Sequence, residues 1–159
     1  MATTITPASM VVTVSETISL NGSQQGASNS TTIASIAEIT KRILTITTNE
    51  STVATFSGAV ASAGHYNDAA VKYIRFTNLD DTYFVTLTFR NQDNDEAAIK
   101  LDAGRSFIWN ADNAGGMVAI LNATQDADAA SDTALGSLTN IQADAETGTI
   151  DLEMLIASV

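Results

Sequence analysis

Few residues in this chain have the types and spacing that chemistry requires. His65 is the only histidine and there is no cysteine. A histidine-based zinc site, a thiolate metal site and a disulfide are therefore excluded. A catalytic His65 would need a nucleophile or carboxylate in a recognisable context such as Gly-x-Ser-x-Gly, and none is present. Beside Gly64 in a run of small residues, it reads as an exposed loop histidine. Asn91, Asp93, Asp95 and Glu96 have the alternating-acid look of a calcium loop. Glu96 stands where an EF-hand loop needs glycine, however, and strands flank the segment, so a solvated hairpin turn is the plainer reading. Asp126, Asp128 and Asp132 form a second cluster of the same kind. Phe107 and Trp109 alternate beside Asn110 and Asp112, as in a sugar-stacking platform, but the same alternation suits a hydrophobic core. Glycine-rich phosphate loops, carboxylate pairs in a catalytic context and basic nucleic-acid motifs are absent. The pattern points away from an enzyme and from any bound cofactor.

The elements that position these residues are strands. In the stretch from Val71 to Asn110, Tyr83, Val85, Leu87 and Phe89 fall on one face, and Phe84, Thr86, Thr88 and Arg90 on the other. Turn-forming clusters at 78–81, 91–95 and 102–104 bracket the strands, predicting a four-stranded β-meander. Upstream, Val12, Val14, Ile18 and Leu20 mark a first strand, followed by a turn-rich loop at 21–26. Residues 29–48 combine helix-like isoleucine spacing with dense β-branching; we read strand throughout, with a kink near Glu38. A short strand spans 51–57, a flexible segment 58–68 and an apolar run 117–121, and Leu135, Leu138 and Ile141 mark a weak strand. The last strand is clean, with Ile150, Leu152, Met154 and Ile156 inward and Asp151 and Glu153 outward. It is expected to be central or paired with the first. The expectation is an all-β, single-domain antiparallel β-sandwich, jelly-roll-like, of about 8–10 short strands, spanning 10–159 behind a flexible arm at 1–9.

Composition narrows the partners. The 159 residues suit one domain, and 45% are apolar, an ordinary value for a folded chain. A net charge of −11 argues against a nucleic-acid groove and against a polybasic membrane patch. All seven basic residues lie between 41 and 105, whereas the eight acids from residue 106 onward have no basic neighbour in sequence. Lys72, Arg75, Arg90 and Arg105 are the interface candidates: sharing a face, they would pair with acids of a neighbouring molecule. The alternative is cross-strand pairing within the chain, with acids such as Glu96 and Asp102. Arg75 alternates with Val71 and Tyr73, and a partly buried arginine needs a carboxylate. The N-terminus has neither a basic n-region nor a long apolar run, so no signal peptide is expected.

The segments Val71–Asp80, Phe84–Leu87 and Ile99–Trp109, with Ile39–Leu44 upstream and Ile150–Ser158 downstream, resemble small virion proteins of tailed, mostly marine, bacteriophages. The resemblance covers about residues 33–159, with a divergent acidic stretch at 111–147, and its motifs are structural rather than catalytic. It implies a non-enzymatic virion protein made in the host cytoplasm, most simply a head decoration or cement protein. Its partners would be the major capsid protein or other virion proteins and itself, as a homotrimer, with a monomer over capsomer junctions as the alternative. A tail or fibre component that binds a host glycan receptor is the alternative.

Overall fold

Alternation decides which side chains meet. Val85, Leu87 and Phe89 occupy one side of a strand, and Ile150, Leu152, Met154 and Ile156 one side of another; all are buried in a single hydrophobic cluster. In the computed structural model, which describes residues 5–59, 62–110 and 138–159, that cluster fills the space between two sheets. The strands are β1 (Ala8–Ser15), β2 (Ser19–Leu20), β3 (Ser23–Gln24), β4 (Ser28–Ile36), β5 (Glu38–Thr47), β6 (Ser51–Ser57) and β7 (His65–Asn67). They continue with β8 (Val71–Asn78), β9 (Val85–Asn91), β10 (Glu96–Leu101), β11 (Ser106–Asn110), β12 (Leu138–Ala145) and β13 (Thr149–Ser158). A five-stranded sheet runs β10-β9-β12-β6-β7 and a four-stranded sheet β11-β8-β13-β5. The all-β sandwich is as the sequence indicates; a jelly-roll winding remains an expectation. Among the described residues the two sheets hold nine strands, and the other four build a separate hairpin. The apolar run at 117–121, Leu135 and the acids Asp112, Asp126, Asp128 and Asp132 lie outside the described residues.

The meander does not form. β8 pairs with β11 in the four-stranded sheet, while β9 and β10 form a hairpin in the other. The links at 79–84 and 102–105 therefore cross between sheets. Asn78, fully buried, holds both links. Its Nδ2 donates to the Tyr83 carbonyl at 2.9 Å and to the Leu101 carbonyl at 3.1 Å. Its Oδ1 accepts the Asp80 N–H at 3.0 Å, and its own N–H donates to the Arg105 carbonyl at 3.0 Å. Asp80 then accepts the N–H groups of Thr82 and Tyr83, which hold its carboxyl below the usual range. This tight link pulls Tyr83 out of the β9 alternation: it is 43% exposed and contributes nothing to the core expected of it.

The core aromatics pack across the two sheets. Phe89 on β9 meets Phe107 at 5.4 Å and Trp109 edge-on at 5.9 Å between ring centroids, both on β11. Trp109, 5% exposed, is core and offers no face for stacking a sugar.

Both sheets take a central strand from one C-terminal strand pair, β12 and β13, which are consecutive in the chain but lie in opposite sheets. β12 lies between β9 and β6, and β13 between β8 and β5. The centrality of β13 is as expected, but it does not pair with the first strand. β7 also departs from the antiparallel expectation, pairing parallel to β6 and placing His65 half-buried in a strand rather than in a loose loop.

The first strand belongs to an arm. β1 and β4 form an antiparallel ribbon whose tip is the small β2–β3 hairpin. Asn21 and Gly22, with φ of 51° and 78°, make the turn between them in the conformation that two-residue hairpins favour. Ala8 and Ser9, read as part of a loose polar segment, are already in β1. The kink expected near Glu38 is the junction of arm and sandwich: Ser35 has φ 63°, and the Ala37 N–H donates to the Ser158 carbonyl at 2.9 Å.

Candidate interaction surface

Strand register sets what the outer face of the four-stranded sheet presents. Ile108, Arg75, Leu155 and Lys41 share one row, and Ser106, Thr77, Glu153 and Ile43 the next. Glu153, with only 14% of its side chain exposed, stands between two cations. Lys41 Nζ lies 2.9 Å from one carboxylate oxygen, and the Arg75 guanidinium donates to the other. The hydrogen-bonded Lys41 ammonium, aided by Arg75, holds the Glu153 carboxyl below its usual range, against partial desolvation that pulls it up. Arg75 thus has the carboxylate its position demands, although Glu153 looks simply outward-facing in the sequence. Nearby, burial raises the Tyr73 hydroxyl, with Arg75 opposing.

The four basic candidates do not share a face. Lys72 is buried and has a partner. Arg75 lies on the outer face of the four-stranded sheet. Arg90 is on the other sheet, where it pairs with Glu96 and lies 3.9 Å from Glu50. Arg105 is not on a strand at all, but in the turn that precedes β11. Pairing within the chain is the stronger pattern: besides these, Lys100 meets Asp102 at 2.9 Å and covers the Phe84 ring at 4.4 Å.

The Asn91–Asp95 loop is built from its own bonds. Asn91 Oδ1 accepts the N–H groups of Asp93 at 2.9 Å and Asp95 at 2.8 Å, and Asn91 Nδ2 donates to the Asp95 carboxylate at 3.2 Å. The side-chain oxygen that a calcium ion would need from Asn91 is therefore engaged. Among the described residues, no three His, Asp or Glu side chains converge as metal ligands.

Two features have no clear signal in the sequence. One is an open cleft of about 410 Å³ between β5 and β6, edged by Arg42, Thr45, Thr52 and His65. The other is a discontinuous apolar surface. The outer face of the four-stranded sheet exposes Ile39, Ile43 and Ile108, and the arm exposes Val11, Val14, Ile18 and Leu20. The base of the arm already uses that face: Ile33 and Ile36, with Met10 and Val12, pack against Tyr73, Leu155 and Ala157. The alternation of Val12, Val14, Ile18 and Leu20 was the available signal, but it cannot distinguish a core strand from an arm.

No family model, curated protein or solved structure matches this chain.

Proposed function

We propose that this chain is a non-enzymatic virion structural protein, a head decoration or cement protein that binds the outer surface of a phage capsid and stabilises it. The observation that carries this reading is the exposed apolar surface of the arm and sheet, contact area for neighbouring copies as well as for a shell, on a sandwich whose Lys41, Arg75, Arg90 and Lys100 pair with acids of the same chain. The resemblance of the 71–110 and 150–158 segments to small phage virion proteins supports the same reading. A cement protein needs contact area rather than a reactive group, because contacts made only in the assembled shell oppose disassembly by mass action.

The test uses particles stripped of the protein and then resupplied with it. Restored resistance to heat, with hundreds of copies bound per particle, is the expected outcome. Unchanged particle stability would refute it. The cleft edged by Arg42 and His65 favours the second reading, a tail or fibre component that holds a glycan receptor. That reading expects only a few to tens of copies per particle, and glycan-array binding that Arg42→Ala abolishes.

A further inference from the structure

We propose that the β1–β4 hairpin is a clasp that docks on the outer face of the β11-β8-β13-β5 sheet of a second copy of this chain. The apolar stripe on its inner side runs off the body that supports it. Met10 and Val12 are half-buried against the chain's own sheet, whereas Val14, next on the same face, is 49% exposed. Ile18 and Leu20 extend the exposed apolar surface through the tip, with Leu20 61% exposed. A lone two-stranded ribbon is at best marginally stable in water, so the overhanging part needs a surface to lie on.

The kind of surface that accepts it is already defined within the chain. The base of the arm packs on Tyr73, Leu155 and Ala157, and the same sheet face continues to Ile43, 61% exposed, on one edge strand and Ile108 on the other, with the Lys41–Glu153–Arg75 ion pairs between them. Each molecule therefore carries an uncovered apolar ribbon and more of the face that such ribbons cover.

Charge selects the same pair of surfaces. A chain of net charge −11 repels its copies over most approaches. Residues 5–37 carry a single charged side chain, Glu16, and on the receiving face Lys41 and Arg75 balance Asp151 and Glu153. Among the described residues, the arm and the face thus meet with little net charge to oppose them. Two copies can exchange arms reciprocally about a two-fold axis or pass them head-to-tail round a ring, and either arrangement is a closed, finite oligomer.

Sedimentation of the full chain at about 10–100 µM is the test, a range that detects micromolar association. The expected result is a finite oligomer. Val14→Asp with Leu20→Asp, and separately Ile43→Asp with Ile108→Asp, should each yield monomers with unchanged circular dichroism. An equimolar mixture of the two variants, which still offers one intact ribbon and one intact face, should recover a mixed dimer. Leu20→Asp alone, at the exposed tip, replaces a double variant that fails to fold, and should weaken association about tenfold or more.

A monomeric full chain, an oligomer that survives the arm substitutions, or a mixture that stays monomeric would each overturn the clasp. So would a chain that changes size only when capsids are added. The inference is separable from the virion reading: a monomer that still stabilises capsids refutes the clasp alone, and an oligomer that ignores capsids refutes the virion reading alone.

Discussion

Asn78 shows how much of this fold can depend on one amide. With no exposed surface, its side chain satisfies two carbonyls and one N–H from two separate stretches of chain, the 79–84 link and the end of β10. Asn78→Ala would strand the Tyr83 and Leu101 carbonyls where water is scarce, at a cost of about 1–3 kcal/mol per unpaired group. We expect a loss of about 2–4 kcal/mol, measured as a shift of the denaturant midpoint at constant slope. Asn78→Asp should lose a similar amount, since a carboxylate supplies neither N–H donor.

Glu153 makes the pH-dependent counterpart. Its carboxyl lies lower in the folded state than the unfolded value of about 4.3, so the stabilisation is fully present above that value. It is lost as pH falls through the folded value. Glu153→Gln should therefore cost about 1 kcal/mol or less near neutrality, the size expected where one cation of a pair is open to solvent. Thermal melts from pH 7 down to about 3 should show the variant and the parent converging. A gap that stays constant with pH would rule out the ionic contribution.

At the scale of elements, the arm tip depends on one glycine. A β-carbon at Gly26 would collide with the Glu16 carbonyl, just where the Glu16 N–H donates to the Ala27 carbonyl at 2.7 Å. Gly26→Ala should disrupt the ribbon from Glu16 to Ala27 and leave the sandwich intact. Hydrogen exchange is expected to lose protection there but not in β8, β12 or β13; protection retained across the tip would refute this.

The legibility of these elements in the sequence was uneven, for physical reasons. Alternation identified β9 and β13 because large inward residues stand out against Thr, Asp and Glu. It could not assign a strand to a sheet, since residues that point into a sandwich look alike from either side. The cluster at 78–81 therefore read as a hairpin turn, whereas Asn78 makes it a crossing between sheets. β12 read as weak because Ala143 and Ala145 fill two of its inward positions, yet small side chains are what a central strand can accept opposite Leu87 and Val85. The basic candidates failed as a group for a related reason: sequence order placed them near one another, and the two crossings separated them.

For the molecule as a whole, charge and apolar exposure divide the surface. Net charge keeps copies apart in general, and among the described residues most of the uncovered large apolar side chains lie on the arm and on one sheet face, with Leu79 and Tyr83 exposed on the 79–84 link. Composition disclosed the first of these properties. The second required the fold, because Val14 and Leu20 precede Ile43 and Ile108 by stretches that say nothing about which surfaces end up complementary. Two of the described C-terminal acids are more than solvated charges: Glu153 closes an ion-pair bridge, and Asp144 sits where burial and the nearby Glu50 raise its carboxyl above the usual range.

The division of consecutive β12 and β13 between the two sheets has a consequence for how the chain is made. β8 and β5 cannot become neighbours of a common strand, nor β9 and β6 of theirs, until residues 138–158 have left the ribosome. Up to that moment the growing polypeptide holds four strands with an open edge each, a hazard for intermolecular pairing. Insertion of these two consecutive strands, one into each sheet, then fills both gaps. Synthesis of this protein is thus a long wait followed by a late, cooperative closure, and a nascent chain cut short before Leu138 would be left with its stickiest edges unpaired.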